Sequence, residues 1–267
     1  MSLHPARPHR PDSDRVWRVV VVVLGVAAAL LTGCGDSGRL VVAVRLGQPG
    51  LVNQRPDGGL TGFDIAVVRY VARELGYRDD QIVFTGDAAQ ADLVLGTMGP
   101  AFPGGETRYV AGPYLVTTTN ILVRANDLAI RGVRDLAGRC VCATGSSARP
   151  LVARFGEAWK HAFLAEANVP AACAPLLADG RCDAIVADAP VLAGLAVQYP
   201  GRFRFSGRPL ATIEYGIGTS SAALRDRVTE ALRHMFEDGS WKRAVIEHLG
   251  VLATRYTAPP ELPATAR

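Results

Sequence analysis

The chain is poor in the groups that usually carry out chemistry. Beyond residue 33 only His161, His234 and His248 supply imidazole, and all three fall in stretches that read as helix. No G-x-S-x-G nucleophile turn occurs, and no serine has an evident partner base. The 267 residues include five cysteines, but Cys140-x-Cys142 followed by a long gap does not match the short paired spacings of a zinc site. An enzyme, a metal and a cofactor are therefore not expected. Charge of one sign is also missing. The formal net charge is +4, and residues 1–33 contribute four arginines against two aspartates, which leaves the rest near +2. So balanced a chain has no electrostatic footprint for nucleic acid or an acidic surface. Lysine is nearly absent (Lys160 and Lys242), a matter of composition rather than function.

Long apolar runs are missing too. The longest, residues 19–31, falls short of the roughly 20 residues that a spanning helix needs. Arg7, Arg10, Arg15 and Arg18 precede it, and Leu31-Thr32-Gly33-Cys34 closes it. A basic start, an apolar middle and small residues at the end are the parts of an export signal. The ending resembles the bacterial lipoprotein processing signal. That resemblance implies cleavage before Cys34, lipid on its sulfur, and a domain held outside the cytoplasm on the membrane.

What is present is enough for real cores: 49% of residues are hydrophobic. In an exported chain the four remaining cysteines suggest disulfides. Cys140 and Cys142 share one face of a strand and pair poorly with each other. The favoured bridges are Cys142–Cys173 and, second, Cys140–Cys182.

Periodicity gives alternating strands and helices. Residues 40–45 read as a buried strand. Residues 63–75 read as a helix with Ile65, Val68, Val71 and Leu75 on one stripe, stopped by Gly76. Short strands follow at 81–84 and 92–97. A second series has strands at 140–143, 183–187 and 202–205, with helices after Ser146 and at 190–197; helices at 222–236 and 240–249 close the chain. Two long extended stretches, 114–124 and 211–218, separate the series. The pattern predicts an α/β protein of two lobes, a two-strand hinge and a ligand cleft between the lobes. The expected division is a signal peptide at 1–33, a linker at 34–39, lobe I at 40–118 and 212–250, lobe II at 119–211, and a disordered tail at 251–267.

Several short motifs occur in one order along the chain. They are Gln48-Pro49-Gly50-Leu51, Asp57-Gly58, Gly62-Phe63-Asp64, Gly112-Pro113-Tyr114-Leu115, Asp135-Leu136-Ala137-Gly138, Gly145-Ser146-Ser147, Gly180-Arg181-Cys182-Asp183-Ala184 running to Asp188, and Tyr215-Gly216-Ile217-Gly218. This series resembles the bacterial extracellular solute-binding proteins of family 3, the amino-acid receptors of ABC importers, and most of all the actinobacterial glutamate/glutamine-binding lipoproteins. The resemblance implies a type II periplasmic-binding-protein fold, capture of a small polar solute such as an amino acid, an ABC permease as partner, and a monomer. A degenerate homologue acting as a surface sensor or interaction lipoprotein is the alternative.

Candidate ligand-binding residues follow. Asp188 ends a strand, where a carboxylate can pair with an ammonium or cap the next helix. Ser146 and Ser147 open a helix whose free N–H groups suit a carboxylate. Gln48 and Leu51 lie in the first strand-to-helix loop, and Thr97 at a strand end. Asp64 reads as structural at its helix start. Two departures from the family stand out. The carboxylate-clamping arginine falls on Gly104, leaving Arg108 as its replacement if the 103–105 loop shifts register. Between Phe84 and Asp92 the chain is too short for the family's helix.

Overall fold

The computed structural model describes residues 38–99, 102–103, 105 and 108–263. The expected signal peptide at 1–33, Cys34 and Gly104 lie outside the described residues. The fold belongs to the second of two units, Arg39–Arg267.

An eight-stranded sheet runs through the whole fold. Its strands are β1 (Leu40–Ala43), β4 (Ile82–Thr85), β5 (Leu93–Thr97), β6 (Tyr109–Arg124), β7 (Val141–Ala143), β8 (Leu164–Glu166), β9 (Ala184–Asp188) and β10 (Phe203–Thr219), in the order β4-β1-β5-β10-β6-β9-β7-β8. β1 runs parallel to β4 and β5, and β7 runs parallel to β8 and β9. The long antiparallel pair β6 and β10 joins these two parallel blocks. A two-residue hairpin pair, β2 (Asn53–Gln54) and β3 (Leu60–Thr61), stands apart.

Seven α-helices cover the sheet among the described residues: α1 (Phe63–Glu74), α2 (Gly145–Phe155), α3 (Glu157–Phe163), α4 (Cys173–Ala178), α5 (Ala189–Gln198), α6 (Ala222–Glu237) and α7 (Ser240–His248). The apolar stripe of α1 is buried as its spacing demands. Gly76 ends the helix at φ 93°, and Tyr77 N–H returns to the Ala72 carbonyl.

One core gathers β1, β5, α1, α6 and α7 around Phe63, Tyr114 and Trp241. Two others lie on the far side of the sheet's midline. The first packs Ile121, Leu136 and Trp159, and the second Leu122, Leu192 and the buried Cys142 and Cys173. Cys142–Cys173 and Cys140–Cys182 are both bonded, with Cα separations of 5.5 and 4.7 Å.

Three features depart from expectation. The strand at 202–205 and the extended stretch at 211–218 are one strand, β10, interrupted by a register shift between Ser206 and Ala211 where Gly207 packs on Gly132. β8, α4, the hairpin and the break that separates α3 from α2 were not foreseen; each is too short to show a period. The tail, expected to be disordered from 251, is packed through most of its described length. Leu252 is buried against Ala189 and Ala193, and Tyr256 OH bonds Thr117 Oγ1 at 2.6 Å. Lys242 Nζ reaches the Ala253 and Tyr256 carbonyls, and Leu262 lies against the main core. Its Pro-Ala composition hid three apolar anchors.

Candidate ligand-binding site

Two parallel strands of each block end at one place. β1 runs out into Arg45, β5 ends on Thr97, β7 leads into Thr144 and α2, and β9 ends on Asp188. These ends enclose a chamber of about 30 Å³, lined further by Gln48, Asp64, Ser146, Ser147 and Tyr215. An outer chamber of about 200 Å³ shares Thr97, Ser146, Ser147 and Asp188 and adds Met98, Thr119 and Arg149. Carboxyl ends of parallel strands leave side chains, loop amides and helix N-termini pointing at one space, which is where α/β sheets bind ligands.

Asp188 sits at the N-cap position of α5, yet its carboxylate makes no capping bond. Oδ1 accepts from Thr119 Oγ1 at 3.2 Å, and Oδ2 from Tyr215 OH at 2.5 Å. Burial pushes its pKa up. The two hydroxyl donors and the positive charge of Arg45 work against that rise. Asp64 is not a cap either. Gly62 holds that position, while Asp64 accepts from Tyr114 OH at 3.0 Å, and burial raises its pKa to about 7. The Tyr114 and Tyr215 rings lie 6.1 Å apart, so the two acid–phenol pairs stand side by side. Burial and the neighbouring carboxylates push both phenols well above their ordinary range.

Ser146 and Ser147 occupy the first turn of α2, where backbone N–H groups lack intrahelical partners and the helix dipole is positive. Thr144 Oγ1 lies 3.3 Å from Ser146 Oγ. The lining thus offers a guanidinium and a helix N-terminus for an anion, and the Asp188 carboxylate for a cation.

Of the residues singled out from sequence, Asp188, Ser146, Ser147, Thr97 and Gln48 come together here. Leu51 does not. It is fully buried in the core, and its carbonyl accepts from Asp64 N–H, so it holds the loop rather than the cleft wall. Arg108 does not enter the cleft. Its guanidinium donates to the carbonyls of Ala91 (2.8 Å) and Ala88 (2.6 Å). The connection from β4 to β5 has no helix of its own to satisfy those carbonyls, and Arg108 supplies what the helix would have. Arg45 was missed. It follows an apolar strand directly, and a charged residue just past a strand's carboxyl end was the available signal.

Fold and site define a class: a two-lobed α/β protein with a charged cleft at the strand ends. No family model matches the sequence. Curated relatives do. The chain is 27% identical to the glutamate-binding protein GluB of Corynebacterium glutamicum, over 90% of this chain and 93% of that one. It is 24% identical to the probable amino-acid-binding protein YxeM of Bacillus subtilis, over 85% and 92%. Among solved structures it resembles an ancestral arginine-binding protein bound to glutamine, with a TM-score of 0.67 at 22% identity, covering 80% of this chain and 98% of that one. The relatives are solute-binding proteins, not enzymes. Over most of its length the chain is thus similar to proteins named for binding glutamate or amino acids.

Proposed function

We propose that the protein captures an amino acid outside the cytoplasm and delivers it to the permease of an ABC importer, working as a monomer held to the membrane by lipid on Cys34. The observation that carries the reading is the pairing of opposite charges in one chamber. Arg45 and the N-terminus of α2 face a carboxylate, and Asp188 faces an ammonium. A zwitterion meets both at once; a simple anion leaves the buried Asp188 carboxylate without an opposite charge, and a simple cation leaves Arg45 and the helix N-terminus without one. Arg45 also supplies the cation that position 104 lacks, which favours solute capture over a degenerate surface sensor. The relatives named for glutamate make glutamate and glutamine the first ligands to try.

Nothing is transformed. Binding draws lobe I, which carries Arg45, Gln48 and Thr97, onto lobe II, which carries Ser146, Ser147 and Asp188, and the closed form is what the permease meets. Thermal unfolding against a panel of amino acids tests the reading. A ligand of the folded state raises the melting temperature as its concentration passes the dissociation constant. A shift with an amino acid that disappears in Asp188→Ala is the expected result. No shift across the panel, from a cooperatively unfolding protein, contradicts capture and leaves the sensor reading.

A further inference from the structure

Beside the ligand chamber α5 meets the first lobe through Val191, which joins the main core, and through a stretch where backbone meets backbone. The loop at 47–50 leaves β1 and lies against lobe II. Ala171 N–H donates to the Gly47 carbonyl at 3.3 Å. A Cβ added to Gly194 would stand 2.5 Å from Pro49 O and 2.6 Å from Gly50 N. A Cβ added to Gly50, which has φ +85°, would stand 2.6 Å from Pro190 O. Pro190 and Gly194 are one helical turn apart on the same face of α5.

Neither side of the contact can easily retreat. Gly50 N–H donates to Asn53 Oδ1 at 3.2 Å, and its carbonyl accepts from Phe63 N–H at 3.0 Å, which ties the loop to the start of α1. α5 packs into its lobe through Leu192 and Leu195, both fully buried. Glycine in the middle of a helix is otherwise a poor choice, because alanine costs the helix less. Gly194 has no positive φ that would require it. What requires it is the approach of Pro49 and Gly50.

We propose that Gly50 and Gly194 are positioning residues for ligand binding: a seam of backbone-to-backbone approach, next to Val191, that sets how far the lobes close. The inference rests on the capture reading above. The seam and the site share their two segments. Arg45 and Gln48 precede Gly50 on one loop, and Asp188 immediately precedes α5. Carbon–oxygen contact needs roughly 3.5 Å, so one methyl group at Gly194 parts the segments by about 1 Å. Charge-assisted bonds to a small ligand do not survive that displacement on both sides of it.

The test is Gly194→Ala, read in three ways: melting temperature without ligand, dissociation constants for L-glutamate and L-glutamine by calorimetry, and radius of gyration by small-angle scattering. The expected result is a melting temperature equal to or above wild type, at least tenfold weaker binding, and a larger radius of gyration under saturating ligand. Unchanged affinity and radius overturn the proposal. So does a lowered melting temperature or failure to fold, since that marks Gly194 as merely structural. If the wild type binds neither amino acid, the capture reading is what fails for these ligands. Scattering of the ligand-free proteins then decides the seam: a larger radius in the variant upholds it, and an equal radius overturns it.

Discussion

Tyr215 donates its phenolic hydrogen to Asp188 Oδ2 at 2.5 Å. The bond joins a tyrosine of the main core to the end of β9, whose carboxylate lines the chamber. Asp188 is therefore held in place before any ligand reaches it, by Tyr215 on one oxygen and Thr119 on the other. The orientation of the carboxylate is set by the hinge strands β6 and β10, which supply both hydroxyls.

Tyr215→Phe tests this hold. The buried carboxylate keeps Thr119 and loses its shorter bond, and a charged group deprived of a donor costs roughly 1–3 kcal/mol. The expected outcome is a urea midpoint lowered accordingly at pH 7. An unchanged midpoint means that the bond carries nothing.

Asp64 makes stability depend on pH. Burial holds its carboxyl at about 7 against 3.8 when unfolded. Between those values the folded chain keeps a proton that the unfolded chain has released. The stabilisation is complete below 3.8 and is lost as pH rises through 7. Asp188 is shifted in the same direction, so the wild type must be compared with Asp64→Asn. From pH 5 to pH 8 the wild type should lose roughly 2–3 kcal/mol more than the variant, measured by urea unfolding. Parallel curves contradict the assignment.

The two arginines near the first lobe's strands should separate cleanly. Arg108→Ala removes two charged bonds to backbone carbonyls and should lower stability by roughly 1–3 kcal/mol while leaving ligand affinity unchanged. Arg45 is exposed and, among the described residues, makes no such bonds. Arg45→Ala should leave the melting temperature alone and weaken binding about tenfold or more. Calorimetry and thermal unfolding of both variants check the pair. The opposite pattern would return Arg108 to the cleft.

Cys142 and Cys173 are both fully buried and 31 residues apart, with β7 on one side and α4 on the other. Replacing both with serine should cost about 2–4 kcal/mol, read as a lower melting temperature under oxidising conditions. Under reductant, which opens Cys140–Cys182 in both proteins, the wild type should converge on the variant.

Elements with a full period were legible in the sequence. α1 shows its stripe and its stop glycine, and β1, β5 and β9 show as short apolar runs. α4 and β8 span one or two turns or a few strand residues, and the break before α3 fewer still, too little for a period to register. The site was partly legible, because a carboxylate at a strand end and serines at a helix start have local signatures. Leu51 and Arg108 misled for one reason: sequence places a residue on a loop but not on a side of it. Leu51 turns to the core and Arg108 to a connection shortened by the loss of a helix. Arg45 needed the opposite insight, that a charge one step beyond an apolar strand projects where its neighbours' strand ends converge. The tail was misjudged from composition, because three anchors spread over eleven residues leave no pattern.

The central claim is recognition of both charges of a zwitterion, and calorimetry of the wild-type protein tests it most directly. L-glutamate should be compared with glutarate, which lacks its amine, and with 4-aminobutyrate, which lacks its α-carboxylate. Saturable binding of glutamate, weakened at least tenfold by either deletion, is the expected result. Glutarate or 4-aminobutyrate binding as well as glutamate would contradict it, because one half of the charged chamber would then contribute nothing.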